Sequence, residues 1–261
     1  MMAAQLSVDR VVLDIPIFVH RHDTSHGWFR TLVSAAKSPP RREYRRILDG
    51  ISFNLNEGDR LALLGRNGAG KTTLLRVMSG AYQPTSGSVT VQGSKQVLLN
   101  LGLGFVNDAT VRENIFLRSL TMGRPLADVS ATVAPILQFA GLEHRAGDRL
   151  GTLSSGQRMR LGFSISTAIQ HDVMLLDEWF GAGDAEFILK AKARMAERAN
   201  ASKIVVLASH NFGMLRKVCT RGLVVEQGKV AFDGSVEDAI AAYKRIYQAE
   251  PDYKAERVLA T

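Results

Sequence analysis

This 261-residue chain has one cysteine, no apolar run long enough to cross a membrane as a helix, and no internal repeat. Each shortage removes a class of protein. Cys219 has no second thiol to pair with, so packing rather than cross-links must hold the fold, as suits a reducing compartment. Its default role is that of a small buried apolar residue. The stretch Val11 to Val19 is interrupted by Asp14, falls short of the ~20 residues of a spanning helix, and leads to no small-residue cleavage site. A soluble, intracellular protein is expected. Regular interleaving of aromatic and basic residues is also lacking, so no nucleic-acid partner is expected despite a formal net charge of +8. The one tight basic group, Arg41, Arg42, Arg45 and Arg46, fits a solvated face first and attraction to an anionic membrane surface second.

What the chain does have is apolar substance, 46% of its residues, enough for one large domain or a core with an inserted subdomain. The short apolar runs Leu61 to Leu64, Val173 to Leu176, Ile204 to Ala208 and Leu223 to Glu226 suit strands of a parallel sheet covered on both faces. Residues 7–19 and 51–64 are predicted strands, and 111–170 is mainly helical. An insert at 20–43, with Pro39 and Pro40 near its end, carries Trp28, Phe29, Leu32, Val33 and Ala36 at helical spacing, with Ser25 as a cap.

The strongest chemical signal is Gly65-Arg66-Asn67-Gly68-Ala69-Gly70-Lys71-Thr72, which satisfies G-x-x-x-x-G-K-[ST] between a buried strand and a helix predicted over Thr73 to Ser79. Glycines let backbone N–H groups point inward at a phosphate, and the helix N-terminus adds partial positive charge. Lys71 then reaches the β and γ phosphates of a nucleotide, and the Thr72 hydroxyl takes a place on Mg²⁺. Asp177 ends the apolar strand from Val173 and delivers a carboxylate to the outer coordination sphere of the same ion. Glu178 follows at once, placed to polarise the attacking water. His210 comes just after Ile204 to Ala208, at the sheet edge where an imidazole can donate to a γ phosphate. Finally, Leu153-Ser154-Ser155-Gly156-Gln157 opens another helix, offering an anion a hydroxyl and N–H groups, or else forming an ordinary N-cap.

Together these residues resemble the nucleotide-binding subunit of an ABC transporter. Residues 65–72 match Walker A, Asp177 and Glu178 close Walker B, His210 is the switch histidine, and 153–157 is similar to the LSGGQ signature with Ser155 replacing its first glycine. Further details narrow the resemblance. The run from Asp177 to Phe187, with Asp184 in the D-loop, is similar to that of polysaccharide exporters. So are Thr110-Val-Arg-Glu-Asn114 and the ending through Glu226 to Tyr243. The likeness implies an α/β fold, a RecA-like P-loop core with an antiparallel β region and an inserted helical subdomain at 111–170. It implies an ATPase that binds ATP and Mg²⁺, works as a homodimer, and lets Ser154 to Gln157 of one copy cap the nucleotide of the other.

It further implies a peripheral subunit on the cytoplasmic membrane face. Bound there to an integral membrane transporter subunit, it would export a lipid-linked glycan such as capsule, O-antigen or teichoic acid. A soluble ABC ATPase outside glycan export is the alternative. Tyr44 lies where the family places an aromatic that stacks on adenine, and packing as a surface tyrosine explains it equally. The family's Q-loop glutamine is missing at Val106, with Asn107 the nearest substitute. The insert at 20–43 is either a membrane-side gate helix or a helix packed on its own core. No C-terminal carbohydrate-binding domain is expected within 1–261.

Overall fold

A computed structural model describes residues 3–19, 41–98, 104–177 and 184–248. Strands β1 (Gln5–Val19) and β2 (Arg41–Asn56) form a long antiparallel ribbon, and β4 (Ser86–Gln92) pairs with the other edge of β1. Burial alternates along the first half of β1, with Leu6, Val8, Val11 and Leu13 turned inward, as one covered face of an antiparallel sheet requires. The second sheet runs β5 (Lys95–Leu98), β6 (Val173–Asp177), β7 (Ile204–Ala208), β3 (Arg60–Leu64), β8 (Arg221–Glu226) and β9 (Lys229–Ser235), parallel except for the last. Its central strands are apolar on both faces because both are covered. On one side, helix α1 (Lys71–Ser79) and the first sheet enclose Leu61, Leu63, Leu75, Val206 and Leu223. On the other, helices α5 (Ala185–Ala201), α6 (Phe212–Val218) and α7 (Val236–Gln248) pack over Ala62, Met174, Val205 and Val224.

Between these layers in sequence come α2 (Val111–Thr121), α3 (Leu126–Ala140) and α4 (Ser155–Ser166), joined around a core of their own built from Ile115, Val133, Leu137, Leu161 and Ile165. Phe163 of α4 points the other way and meets Phe187 of α5 edge to face at 5.8 Å, tying the helical segment to the main sheet.

Two predicted boundaries are corrected. The strand expected over 51–64 is the end of β2 and the whole of β3, separated by a turn at Glu57 to Asp59. The Asp59 carboxylate accepts from the Asn56 amide at 2.8 Å and Gly58 holds φ +98. A local side-chain bond and a left-handed glycine together outcompete strand continuation. At the other end β2 begins at Arg41, so the last residues of the expected 20–43 insert are ladder residues, with Arg41 opposite Val19 and Glu43 opposite Ile17. The helix expected around Trp28 and Phe29 lies outside the described residues. Part of the basic group has structural employment, since Arg46 pairs with Asp14 at 2.9 Å and Asp49 at 3.2 Å. No helix among the described residues is long and apolar enough to cross a membrane.

Candidate nucleotide site

The sheet register brings the chemistry to one edge. Leu63 on β3 pairs with Ala208 on β7, which pairs in turn with Asp177 on β6. The three strands are parallel, so the loop after β3, the Asp177 carboxylate and the segment after Ala208 emerge side by side, where ligands bind in open α/β sheets.

The loop from Gly65 to Gly70 leads into α1, two residues earlier than predicted, with Gly70 as N-cap at φ +109 and no side-chain cap. The first N–H groups of α1, lacking intrahelical acceptors, are thus left for an anion. Lys71 is buried, and its ammonium donates to the carbonyls of Gly65 at 2.6 Å and Arg66 at 3.1 Å, which hold it within the loop. The Thr72 hydroxyl donates to Asp177 Oδ2 at 2.5 Å. A hydroxyl and a carboxylate oxygen brought together beside an anion cradle are the hard donors that suit Mg²⁺, an ion that draws further ligands from phosphate and water. Asn67, Gly68, Ala69 and Thr73 complete the loop and first turn. Tyr44 is 67% exposed on β2 and is placed opposite Pro16. The strand that carries it reaches the loop at Gly70, where an added Cβ would lie 3.3 Å from the Ile47 carbonyl.

His210 is exposed and braced on both sides. Ser209 Oγ accepts from the Asn211 amide at 3.1 Å, and the Asn211 side chain caps α6 by accepting from Met214 at 3.0 Å. Glu178 lies outside the described residues. Asp184 begins α5 as its N-cap, accepting from the Phe187 amide at 2.8 Å, and pairs with Arg160 of α4 at 3.0 Å. The Phe187 amide holds the Asp184 carboxyl below its ordinary range. One ion pair thus joins the helix begun by Ser154 to the helix begun by Asp184.

At the start of α4, Ser154 and Gln157 form a capping box: Ser154 Oγ accepts from the Gln157 amide at 3.2 Å, and Gln157 Oε1 accepts from the Ser154 amide at 3.0 Å. Arg145 adds a second bond to Gln157 Oε1 at 3.3 Å. Ser154 and Ser155 are exposed. The start of α4 is therefore an N-cap whose two serines remain exposed.

A model of the ABC transporter family matches residues 48–181. The chain belongs to the ABC transporter family. Within it, the chain is 39% identical over 183 residues to the O-antigen export system ATP-binding protein RfbE of Yersinia enterocolitica, covering 70% of this chain and 77% of that one. It is 34% identical over 245 residues to the O-antigen export system ATP-binding protein RfbB of Myxococcus xanthus, covering 91% of this chain but 56% of that longer one. A solved structure of the ATP-binding subunit of an ABC transporter superposes with a TM-score of 0.66 at 19% identity, covering 89% of this chain and 90% of the other, a likeness of fold. The ABC transporter domain makes the chain a nucleotide-binding ATPase.

Two elements that support the ABC site carry weak sequence signals. The turn Gln227–Gly228, between β8 and β9, backs the phosphate loop: the Gly228 amide donates to Ala69 O at 3.1 Å and its carbonyl accepts from Asp49 at 2.9 Å. Gly228 has φ +78, and a Cβ there would lie 2.3 Å from the Ile47 carbonyl. The second is Asn114, fully buried at the end of the exporter-like run. Its amide donates to Val106 O and Thr110 O, both at 2.9 Å, and its carbonyl accepts from Val106 N at 2.8 Å. It fixes the Val106–Thr110 loop where the family's glutamine is missing. Val106 is 47% exposed and the Asn107 carbonyl accepts from Gly151, so the backbone of this loop is tied to the approach to α4.

Proposed function

We propose that the chain is the ATP-hydrolysing subunit of an ABC exporter that moves a lipid-linked polysaccharide across the cytoplasmic membrane, acting as a homodimer on that membrane's inner face beside an integral membrane subunit. The observation that carries the nucleotide chemistry is the Thr72–Asp177 contact at 2.5 Å beside the uncapped start of α1. Relatives that export O-antigen at 39% and 34% identity support the cargo class.

The residues divide the work by position. The loop amides from Asn67 to Thr72 bind the β and γ phosphates, with Lys71 turning from the loop carbonyls to the nucleotide when it arrives. Thr72 and Asp177 would hold Mg²⁺, which when bound supplies neutralising charge between those phosphates. Glu178 takes the proton of the attacking water and His210 donates to the γ phosphate. Tyr44 stacks on the adenine from near the start of β2. The Ser154–Gln157 start, whose side-chain bonds run within its own cap and to Arg145, has its remaining first-turn amides and the Ser154 proton to offer. It offers them to the nucleotide of a second copy, and the segment 111–170 that carries it acts as one helical subdomain.

Turnover of ATP by Glu178→Gln tests this. The substitution keeps the shape but removes the base, so hydrolysis should fall about 10²- to 10⁴-fold while ATP binding persists. Unchanged turnover would remove Glu178 from the mechanism. Co-purification of the tagged chain with a multispanning membrane protein, and accumulation of cytoplasmic lipid-linked glycan on its depletion, would separate glycan export from a soluble ATPase role.

A further inference from the structure

Helix α7 carries Tyr243 and Tyr247 one turn apart, on one face. Both are largely buried, 8% and 6% exposed, and their rings sit 4.8 Å apart at 60°. The ladder continues at both ends. Phe212, the first residue of α6 and two positions past His210, meets Tyr243 at 5.6 Å and 65°. At the other end the Arg66 guanidinium lies 5.6 Å from the Tyr247 ring. Arg66 is the residue whose carbonyl holds Lys71 at 3.1 Å. The helix that bears the ladder is seated tightly on the sheet: a Cβ on Gly222 of β8 would lie 2.3 Å from Ala239 Cβ of α7. That strand neighbours β3, which feeds the phosphate loop. Two segments that emerge from different strands therefore lean on opposite ends of one pair of packed rings.

We infer that Tyr243 and Tyr247 are positioning residues, forming an aromatic strut that sets the spacing between the phosphate loop at Arg66 and the histidine segment at His210. The inference rests on the role of His210 proposed above. Edge-to-face rings resist sliding more than aliphatic contacts do, because the ring quadrupoles fix their mutual orientation. A cation over a ring face adds a directional hold on the loop. The two ends then have separable consequences. The Tyr247 end steadies the loop that binds phosphate, and the Tyr243 end steadies the group that completes the site for chemistry.

Steady-state kinetics and ATP titration of Tyr247→Leu and Tyr243→Leu test the strut, alongside melting temperature. Tyr247→Leu should weaken ATP binding roughly five- to tenfold, the effect of losing one partly buried cation–π contact, with kcat within about twofold. Tyr243→Leu should do the reverse, lowering kcat roughly tenfold with KM nearly unchanged. Tyr247→Phe, which keeps the ring, should retain most of the ATP affinity. Arg66→Gln probes the same contact without touching the core: it should match Tyr247→Leu, and combining the two should cost little more than either alone. Equal shifts in kcat and KM from both ends, or full additivity of Arg66→Gln with Tyr247→Leu, would overturn the strut and leave ordinary core packing. Wild-type activity in folded variants would overturn it as well. An active wild type with unaffected variants defeats the strut alone, whereas normal turnover in His210→Ala defeats the histidine's assigned role.

Discussion

Helices α1 and α4 both start at motifs that a nucleotide meets on the proposed reading, and they are finished in opposite ways. Helix α1 starts at Gly70 with no side-chain cap, behind a loop whose lysine is held by loop carbonyls. Helix α4 starts at Ser154 with a reciprocal capping box, reinforced by Arg145. A glycine start gives up about a few tenths of a kcal/mol of local stability that a capping side chain would supply. At α1 that cost is recovered when phosphate arrives, and buttressing from outside holds the loop meanwhile. At α4 the helix needs no ligand to be formed, so on the proposed reading its start can stand exposed and preformed for a partner's nucleotide. The same electrostatic feature serves once as a binding cradle and once as a preformed cap.

That contrast can be broken from either side. The largest effect should come from Lys71→Met, which removes the ammonium proposed to reach the phosphates and should lower kcat about 10²- to 10³-fold in an ATPase assay. Next, Ser154→Arg places a bulky cation at the preformed cap: ATP binding should persist while ATP-driven association disappears, read by sedimentation. If Ser154→Arg instead lost ATP binding in the monomer, the two helix starts would belong to one pocket within one chain. Gly228→Ala attacks the buttress of α1. A Cβ 2.3 Å from the Ile47 carbonyl at φ +78 should cost about 1–3 kcal/mol, appearing as weaker ATP binding as well as a lower melting temperature. The smallest change is Gln157→Ala, which removes half of the capping box and should destabilise by about 1 kcal/mol in chemical denaturation.

Much of this arrangement was legible in the residues, for physical reasons. The central strands β6, β7 and β8 are apolar on both faces, and that continuity marks them in one dimension. The phosphate loop announces itself because glycines, lysine and threonine at that spacing have few other uses between a strand and a helix. Strands β4 and β5 are hard to see in the sequence. Ser86-Gly-Ser-Val-Thr-Val-Gln is mostly exposed, and β5 has four residues at the sheet's edge, so neither carries an apolar signature. The start of β2 reads as a basic linker since Glu43 to Arg46 are exposed, and its pairing with β1 is visible only in three dimensions. Gln227-Gly228 carries a hairpin signal, yet its contact with Ala69 is a long-range fact. Asn114 was read as part of a family motif. What it does, filling a buried niche with backbone partners from Val106 to Thr110, follows only from the fold.

Sedimentation of the Glu178→Gln protein with and without Mg-ATP addresses the shared pocket most directly. The nucleotide-loaded variant should sediment as a dimer and the nucleotide-free protein as a monomer, with Ser154→Arg in the same background remaining monomeric. A wild-type protein that turns over ATP at full rate as a monomer would contradict it.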